Sequence, residues 1–186
     1  MAVLDGVYSV GPESGRLLVR TARTGLGAKA GHDLTLEATR WHGRLTVDAA
    51  DPANSAVTLE VDVASLEVRE GTGGVKPLTD SDRRDIQRNI RQKILHTDQH
   101  PSISFRSTRV GGTPDAVTVD GELTIVGTTQ PVVARGSVGD DGRVHGTATV
   151  AQSRWGIKPY TAFLGALKLR DEVEIELDAT PTPSEG

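Results

Sequence analysis

Apolar and polar residues alternate along most of this chain, and the alternation limits the folds that it can adopt. In residues 56–63 every second side chain is apolar, and residues 102–106, 117–125 and 172–178 repeat the pattern. Side chains of a β-strand point alternately to opposite faces, so each segment predicts a strand with one buried and one solvated face. Such strands are typical of antiparallel sheets, because strands of parallel sheets are buried on both faces.

Turn-forming residues separate these segments at short intervals. The clearest turns are Gly11-Pro12, 51–54 (DPAN), 111–114 (GGTP) and 139–142 (GDDG), whose Gly, Pro, Asn and Asp residues are typical of tight turns. Further strands are predicted at 6–10, 16–23, 34–39, 43–49, 131–138, 143–151 and 164–170. Many short strands at this spacing predict an all-β sandwich or barrel. The pattern alone does not separate the two.

The segment 79–95 (TDSDRRDIQRNIRQKIL) has a helical pattern instead. Ile86, Ile90 and Ile94 recur at every fourth residue, which predicts an amphipathic helix of about four turns. Thr79 and its polar neighbours supply oxygens that can cap the start of a helix. The Arg and Lys residues of the segment are interpreted as a solvated face, with recognition of an anionic headgroup or pyrophosphate as the alternative.

No linker interrupts the order of strands, helix and strands, so one domain is predicted over residues 1–180. The Pro-, Thr- and Ser-containing end, residues 181–186, is predicted to be a flexible tail. The first residues do not have the basic and apolar regions of a signal peptide, and no stretch is apolar for long enough to span a bilayer. We therefore expect a cytoplasmic protein that makes no stable membrane insertion.

Composition and motifs exclude several kinds of functional site. The chain has no cysteine, which excludes disulfides, zinc–thiolate sites, iron–sulfur clusters and thiol nucleophiles. Its formal net charge of −4 gives no general attraction to nucleic acid, and no nucleic-acid partner is expected. The sequence also contains none of the common serine-nucleophile or phosphate-loop motifs.

The five histidines are the remaining candidates for metal or acid–base chemistry. His96 and His100 stand four residues apart, a spacing that on a helix suits a metal ion, but Pro101 places His100 in a turn. His32 and Asp33 are adjacent, and neighbours on an extended backbone point in opposite directions. The histidines are interpreted as structural or surface residues, so the sequence predicts no metal, no cofactor and no catalytic residue.

Several short motifs follow one another in a characteristic order over about 170 residues. They are 8–15 (YSVGPESG), the strand at 16–23, 41–45 (WHGRL), 61–66 (VDVASL), the helix at 85–94, 100–105 (HPSISF), 119–132 (VDGELTIVGTTQPV), 153–157 (SRWGI) and 171–175 (DEVEI). In this order they resemble the YceI-like family, whose members are polyisoprenoid-binding proteins of lipocalin-like fold. Residues 31–34 and the small number of aromatic residues depart from the family pattern.

The resemblance implies an all-β fold: a single antiparallel lipocalin-like β-barrel of about eight strands, with one amphipathic helix inserted mid-chain near its mouth. It implies a protein, not an enzyme, that binds, carries or sequesters a polyisoprenoid, an isoprenoid quinone or a similar amphiphilic lipid, and that forms a homodimer. The predicted ligand-binding residues are inward members of the strands, the helix stripe and aromatic residues near the mouth: Leu17, Val19, Val57, Leu59, Val61, Ile86, Ile90, Ile103, Phe105, Leu123, Ile125, Trp155, Tyr160 and Phe163.

Two functions of other classes stay open: a metal- or His-dependent enzyme, and a protein-interaction module whose barrel is filled by its own side chains. Only 3% of the residues are aromatic, so Val, Leu, Ile and Ala must fill most of the core. A barrel lined in this way has either a narrow, fully packed lumen or a long apolar slot for a chain-like ligand. Ligands held mainly by ring stacking would need more aromatic residues.

Overall fold

Strands formed by the alternating segments make up most of the computed structural model, which describes residues 4–162 and 167–185. The strands are β1 (Gly6–Val10), β2 (Gly15–Arg20), β3 (Arg23–Thr24), β4 (His32–Ala38), β5 (Trp41–Val47), β6 (Ala56–Asp62), β7 (Leu66–Gly73), β8 (Ser102–Thr113), β9 (Ala116–Ile125), β10 (Thr128–Val138), β11 (Val144–Ala151), β12 (Thr161–Ala162), β13 (Leu167–Leu169), β14 (Glu172–Ala179) and β15 (Thr182–Pro183). Within these residues a single α-helix, α1 (Asp80–Asn89), lies between β7 and β8, and a π-turn, Ile90–Ile94, extends it.

The strand pairs of the described residues are all antiparallel. Twelve strands form one sheet in the order β15-β1-β5-β6-β8-β9-β10-β11-β14-β2-β4-β7, and β12, β13 and β3 form a small second sheet. The all-β antiparallel fold is thus confirmed, but the strands outnumber the predicted eight. Four of the additional strands, β3, β12, β13 and β15, have only two or three residues and are too short to show an alternating pattern, and the other eleven strands of the described residues have five or more.

The long sheet curls so that strands far apart in its order share one core. Val10 of β1 and Trp41 of β5 lie in the same buried cluster as Leu17 of β2 and Ala179 of β14. The apolar alternation fixes the register of this sheet, because a slip of one residue would turn the inward side chains of a strand to solvent. The result is a lipocalin-like curled sheet with a concave apolar face.

The predicted helix is confirmed, and it starts at the expected residue. The Thr79 hydroxyl accepts a hydrogen bond from the Asp82 amide at 3.1 Å, and the Asp82 carboxylate accepts one from the Thr79 amide at 2.9 Å. This capping box pairs two amide groups that the start of a helix otherwise leaves free. The hydrogen bonds from Thr79 also lower the pKa of the Asp82 carboxyl. No helix in the described part of the chain has the length and apolar character needed to cross a bilayer.

A short strand forms within the C-terminal residues that are predicted to be a flexible tail. β15 pairs with β1, with Pro183 opposite Tyr8, and the Ser184 amide donates a hydrogen bond to the Val7 carbonyl at 2.8 Å. Composition alone suggested disorder, but β1 offers an unpaired edge that this segment can join. A proline is tolerated there because an edge strand needs no hydrogen-bond donor on its outer side.

Three predicted boundaries also shift. The predicted strand 16–23 divides into β2 and β3. The glycine-rich composition of residues 70–77 predicts a loop there, but β7 continues into this segment and ends at Gly73. Of the predicted strand 164–170, β13 accounts for residues 167–169. Residues 163–166 lie outside the described part of the chain.

Charged side chains cover the outer face of the sheet beside β4. The Glu37 carboxylate lies 3.3 Å from Arg16 and 2.7 Å from Arg69. Partial burial raises the pKa of Glu37, but hydrogen bonds from the two guanidinium groups outweigh this effect and hold the pKa below its ordinary value. The outer face is therefore a network of paired charges, and the apolar chemistry lies on the concave face.

Candidate functional site

Apolar side chains from consecutive strands line the concave face of the sheet. On β6 the inward Leu59 lies between the exposed Thr58 and Glu60, because the pleat of a strand sends neighbouring side chains to opposite faces. The same alternation turns Ile103 and Phe105 of β8 inward. The other long strands contribute, among others, Val19, Leu36, Leu45, Leu123, Val132, Val150 and Ile175.

The strand residues predicted to line the lumen fall into two groups by burial. The buried ones are Leu17, Val61, Leu123 and Ile125. The half-buried ones, which pack against the same core clusters, are Val19, Val57, Leu59, Ile103 and Phe105. The side chains of the second group remain partly accessible to solvent, so their neighbours do not seal them. The structure brings all nine residues to one face, and their role in ligand binding stays a prediction.

Two glycines shape this concave face by leaving room for the larger side chains. A Cβ atom at Gly43 would lie 2.5 Å from Leu59 Cδ2, and one at Gly121 would lie 2.4 Å from Phe105 Cζ. Both distances are too short for carbon atoms in contact, so the Leu59 and Phe105 side chains lie across the glycine backbones of the neighbouring strands. The glycines thus fix how deeply these two side chains lie against the sheet.

The isoleucine stripe of the helix packs against the same concave face. Ile86 and Ile90 contact the cluster that contains Leu36, and Ile94 contacts the cluster that contains Leu123. Ile86 and Ile90, both predicted to bind ligand, are half-buried like the strand residues that they approach. The helix therefore supplies one apolar wall of the interior.

Two polar side chains attach this helix to the edge strand β7. The Gln87 side-chain oxygen accepts a hydrogen bond from the Val68 amide at 2.9 Å, and Arg91 donates through Nη2 to the Leu66 carbonyl at 2.6 Å. Arg91 was predicted to belong to a solvated face, and this was wrong, because its guanidinium is part-buried against the strand. The i, i+4 spacing of Gln87 and Arg91, one residue after the isoleucines, is the signal that could have revealed their role.

Removing the Arg91 contact is expected to destabilise the protein. We expect Arg91→Ala to lower the free energy of unfolding by about 1.5–3 kcal/mol, because it leaves a carbonyl without its charged donor. The matched control is Arg88→Ala on the same helix, since Arg88 forms an exposed pair with Asp85 at 3.0 Å that contributes about 0.5 kcal/mol or less. Equal losses in urea denaturation of the two variants would contradict the docking role.

Of the aromatic residues predicted at the mouth, the two that the structure describes lie in different environments. Trp155 is 2% exposed and packs in the cluster with Leu123, Val132 and Val150, and its Nε1 donates to the Leu123 carbonyl at 2.9 Å. Tyr160 is 53% exposed, and Phe163 lies outside the described residues. Trp155 thus holds β9 to the turn after β11, and Tyr160 is available to solvent.

One buried polar atom in the interior stands out. Trp41 is 5% exposed and lies in the core cluster with Val10 and Leu45. Among the described residues its Nε1 finds no hydrogen-bond acceptor. A buried donor without an acceptor costs about 1–3 kcal/mol, so a bound molecule that carried an acceptor here would recover part of that cost.

The histidines do not assemble into a site in the described part of the chain. His32 Nε2 lies 2.8 Å from the Lys76 carbonyl oxygen, whereas the Asp33 carboxylate accepts a hydrogen bond from the Arg23 amide at 2.8 Å. The two neighbours thus point to different partners, as an extended backbone requires. Across residues 4–162 and 167–185 no group of three or more His, Asp or Glu side chains is placed to hold a metal ion.

Comparison with known sequences identifies a domain family and several related proteins. The pattern that defines the YceI-like domain matches residues 17–180. A "UPF0312 protein" of Pseudomonas syringae pv. tomato is 30% identical over 129 residues, which cover 63% of this chain and 60% of that protein. "UPF0312 protein plu2095" of Photorhabdus laumondii is 26% identical over 102 residues, which cover 54% and 46%. The matches thus span about half to three fifths of the length of these relatives.

Solved structures show the same fold at low sequence identity. Burkholderia cenocepacia BcnA superposes with a TM-score of 0.64 at 18% identity, covering 87% of this chain and 94% of that chain. The Campylobacter jejuni YCEI protein gives a TM-score of 0.58 at 12% identity, covering 81% and 85%. A polyisoprenoid binding domain from Saccharophagus degradans gives 0.57 at 10% identity, covering 95% and 98%. These likenesses extend over most of each chain, and they establish the architecture.

Proposed function

This chain belongs to the family of YceI-like domains, and from that premise we propose that it binds an amphiphilic lipid on the concave face of its sheet. The ligand class is a polyisoprenoid, an isoprenoid quinone or a similar long-chain molecule. The protein carries or sequesters this ligand and does not transform it. The single observation that carries the proposal is the row of inward, apolar and only half-buried side chains on β2, β6 and β8.

The energetics of that row favour a chain-like apolar ligand. Each methylene group moved from water into an apolar site contributes about 0.8 kcal/mol, so a few isoprene units are enough for tight binding. Val, Leu and Ile side chains supply this contact without directed hydrogen bonds. A structural relative named for polyisoprenoid binding has the same architecture, which supports this class of ligand.

The distribution of perturbed charges favours binding over catalysis. Catalytic groups typically have perturbed pKa values and lie inside clefts. Here the side chains with shifted pKa values lie in surface ion pairs or local turns. Hydrogen bonding to Glu37 raises the pKa of Arg16, hydrogen bonding to Asp178 raises that of Arg143, and hydrogen bonding to Asn54 lowers that of Asp48. Each shift has a local structural cause on the outer surface.

The experiment is native mass spectrometry of protein purified from its own host, followed by binding measurements on delipidated protein. We expect a bound mass in the range of a lipid, and saturable binding of a long-chain polyprenol, an isoprenoid quinone or a fatty acid in solution. The same spectra report the homodimer that the family resemblance implies. Delipidated protein that binds none of the three probes would overturn the proposal.

The two alternative functions predict different results for the same preparation of purified protein. A dimer without bound small molecules would favour a protein-interaction module with a filled interior. Metal in the purified protein, lost in the double variant His96→Ala and His100→Ala, would favour a metal-dependent enzyme. Each outcome separates one alternative from the lipid carrier.

A further inference from the structure

Three large apolar side chains stand out into solvent on loops of this protein. Leu26 is fully exposed, Val75 is 79% exposed and Tyr160 is 53% exposed. Single exposed apolar residues are ordinary on soluble proteins, but a group of them at one end of a molecule indicates an interaction surface.

Hydrogen bonds tie the loops to one end of the curled sheet. β3, which precedes Leu26, is held to the end of β7 by Arg23, whose Nη1 donates to the Thr72 carbonyl at 3.3 Å. The loop with Val75 is held to the start of β4, where His32 Nε2 lies 2.8 Å from the Lys76 carbonyl oxygen.

The third loop joins the same end through the small sheet. The Leu169 amide donates to the Tyr160 carbonyl at 2.9 Å. β13, which contains Leu169, pairs directly with β3, with Leu169 opposite Arg23. The three apolar side chains therefore project from neighbouring loops.

Lysines concentrate on the same loops. The sequence has five, and four of them are Lys29, Lys76, Lys158 and Lys168, all exposed on these segments. The fifth, Lys93, lies on the π-turn after α1. We define the lysine-rich end as the three apolar residues together with these four lysines.

Nearby carboxylates offset only part of the positive charge of this end. Asp33 lies 3.8 Å from Arg23, and Asp171 accepts hydrogen bonds from the backbone and hydroxyl of Ser153. Glu172 is exposed beside Lys168, in a cleft of about 580 Å³ that Arg170 also lines. Asp82 and Asp85 line a second cleft with Val75 and Lys76, and Asp85 is paired with Arg88 at 3.0 Å. Among these residues the four lysines and Arg170 outnumber the carboxylates that have no basic partner, Asp82, Asp171 and Glu172. An excess of positive charge therefore remains at this end, although the net charge of the whole chain is −4.

We propose that the lysine-rich end docks reversibly on an anionic membrane surface. Leu26, Val75 and Tyr160 would enter the boundary between headgroups and acyl chains, and the lysines would contact lipid phosphates. Aliphatic and tyrosine side chains ringed by basic residues are the composition that such interfaces favour. Each lysine close to an anionic surface strengthens binding about five-fold. The inference goes beyond lipid carriage, because vesicle binding requires no molecule inside the sheet.

The test is co-sedimentation of delipidated protein with vesicles of equimolar phosphatidylglycerol and phosphatidylcholine, and with vesicles of phosphatidylcholine alone. We expect binding to the anionic vesicles, weakened about ten-fold or more by high salt or by the neutral composition. Absence of binding to anionic vesicles at low salt would overturn the proposal, and would favour a protein partner for this surface. Lipid carriage would be unaffected by that result, since its probes are measured in solution without vesicles.

Matched variants locate the surface. Lys29→Gln with Lys76→Gln is expected to weaken vesicle binding about 25-fold, and Leu26→Ser with Val75→Ser more than ten-fold. The controls are Lys93→Gln, and Leu4→Ser with Val133→Ser, which change the remaining lysine and two exposed apolar residues elsewhere. Equal losses in variants and controls would overturn the assignment of the surface.

A fluorescence measurement checks insertion directly. Leu26→Trp places an indole at the lysine-rich end, and Val133→Trp places one on the outer face of β10. Brominated lipids are expected to quench the first reporter and to leave the second unchanged relative to unsubstituted protein. Quenching of both or of neither would contradict insertion at this end.

Discussion

Replacing Trp155 by alanine is expected to lower the free energy of unfolding by about 3–5 kcal/mol. The indole is 2% exposed, packs against Leu123, Val132 and Val150, and donates its N–H to the Leu123 carbonyl at 2.9 Å. Alanine would leave a cavity in the core and a carbonyl without its donor. Urea denaturation followed by circular dichroism measures the loss.

A pair of phenylalanine variants separates packing from hydrogen bonding. Trp155→Phe removes ring volume and the hydrogen bond to Leu123, whereas Trp41→Phe removes similar volume from a buried indole that has no acceptor among the described residues. We expect Trp155→Phe to cost about 1–2 kcal/mol more than Trp41→Phe, because only the first leaves a buried group unpaired. A larger loss for Trp41→Phe would contradict the role given to the Trp155 hydrogen bond.

Replacing Ile103 by tryptophan is expected to weaken lipid binding at least ten-fold. Ile103 points inward from β8 and is half-buried between two core clusters, so the larger indole would occupy space proposed for the ligand. Displacing two methylene groups costs about 1.6 kcal/mol, which is more than a ten-fold change in affinity. Titration of the delipidated protein with an isoprenoid quinone measures this effect.

The neighbouring residue supplies the control. Ser104→Trp adds the same side chain on the exposed outer face of the same strand, and it is expected to leave affinity unchanged. Thermal unfolding of both variants distinguishes blocked binding from a damaged fold. If Ile103→Trp destabilises the protein by several kcal/mol and delipidated wild type binds no lipid, the interior is packed by its own side chains.

Local patterns were enough to predict the class of fold and the helix. The alternation around Leu59, Ile103 and Leu123 indicates which face of each strand is buried. The spacing of Ile86 and Ile90 predicts a helix. These signals are local because they follow from the period of the backbone. Contacts between distant residues leave no such period, which is why the pairing of Pro183 with Tyr8 went unpredicted.

The hairpin between β9 and β10 illustrates the same limit. Val126 and Gly127 both have positive φ, at 50° and 71°, as a tight two-residue turn requires. A β-branched residue rarely adopts this conformation, so a valine at position 126 does not predict a turn. Its side chain packs instead against the cluster that contains Trp155, and that distant contact compensates for the local strain.

The apolar residues of the candidate site could be predicted from the sequence, but the degree of burial of each one could not. Inward apolar positions follow from the alternation, whereas the degree of burial depends on which strands face each other across the curl. For this reason Trp155 is a core residue and Tyr160 is exposed, although the two are only five residues apart. The docking role of Gln87 and Arg91 was missed because polar residues on a helix were assigned to solvent.

The attachment of the helix to β7 has a consequence for self-association. A strand at the edge of a sheet presents unpaired amide and carbonyl groups that can join another molecule edge to edge. Here Gln87 and Arg91 occupy the Val68 amide and the Leu66 carbonyl, so side chains protect an edge that other proteins cover with a further strand. A condition that loosens this helix is therefore expected to expose the amide and carbonyl groups of this part of β7 to edge-to-edge association.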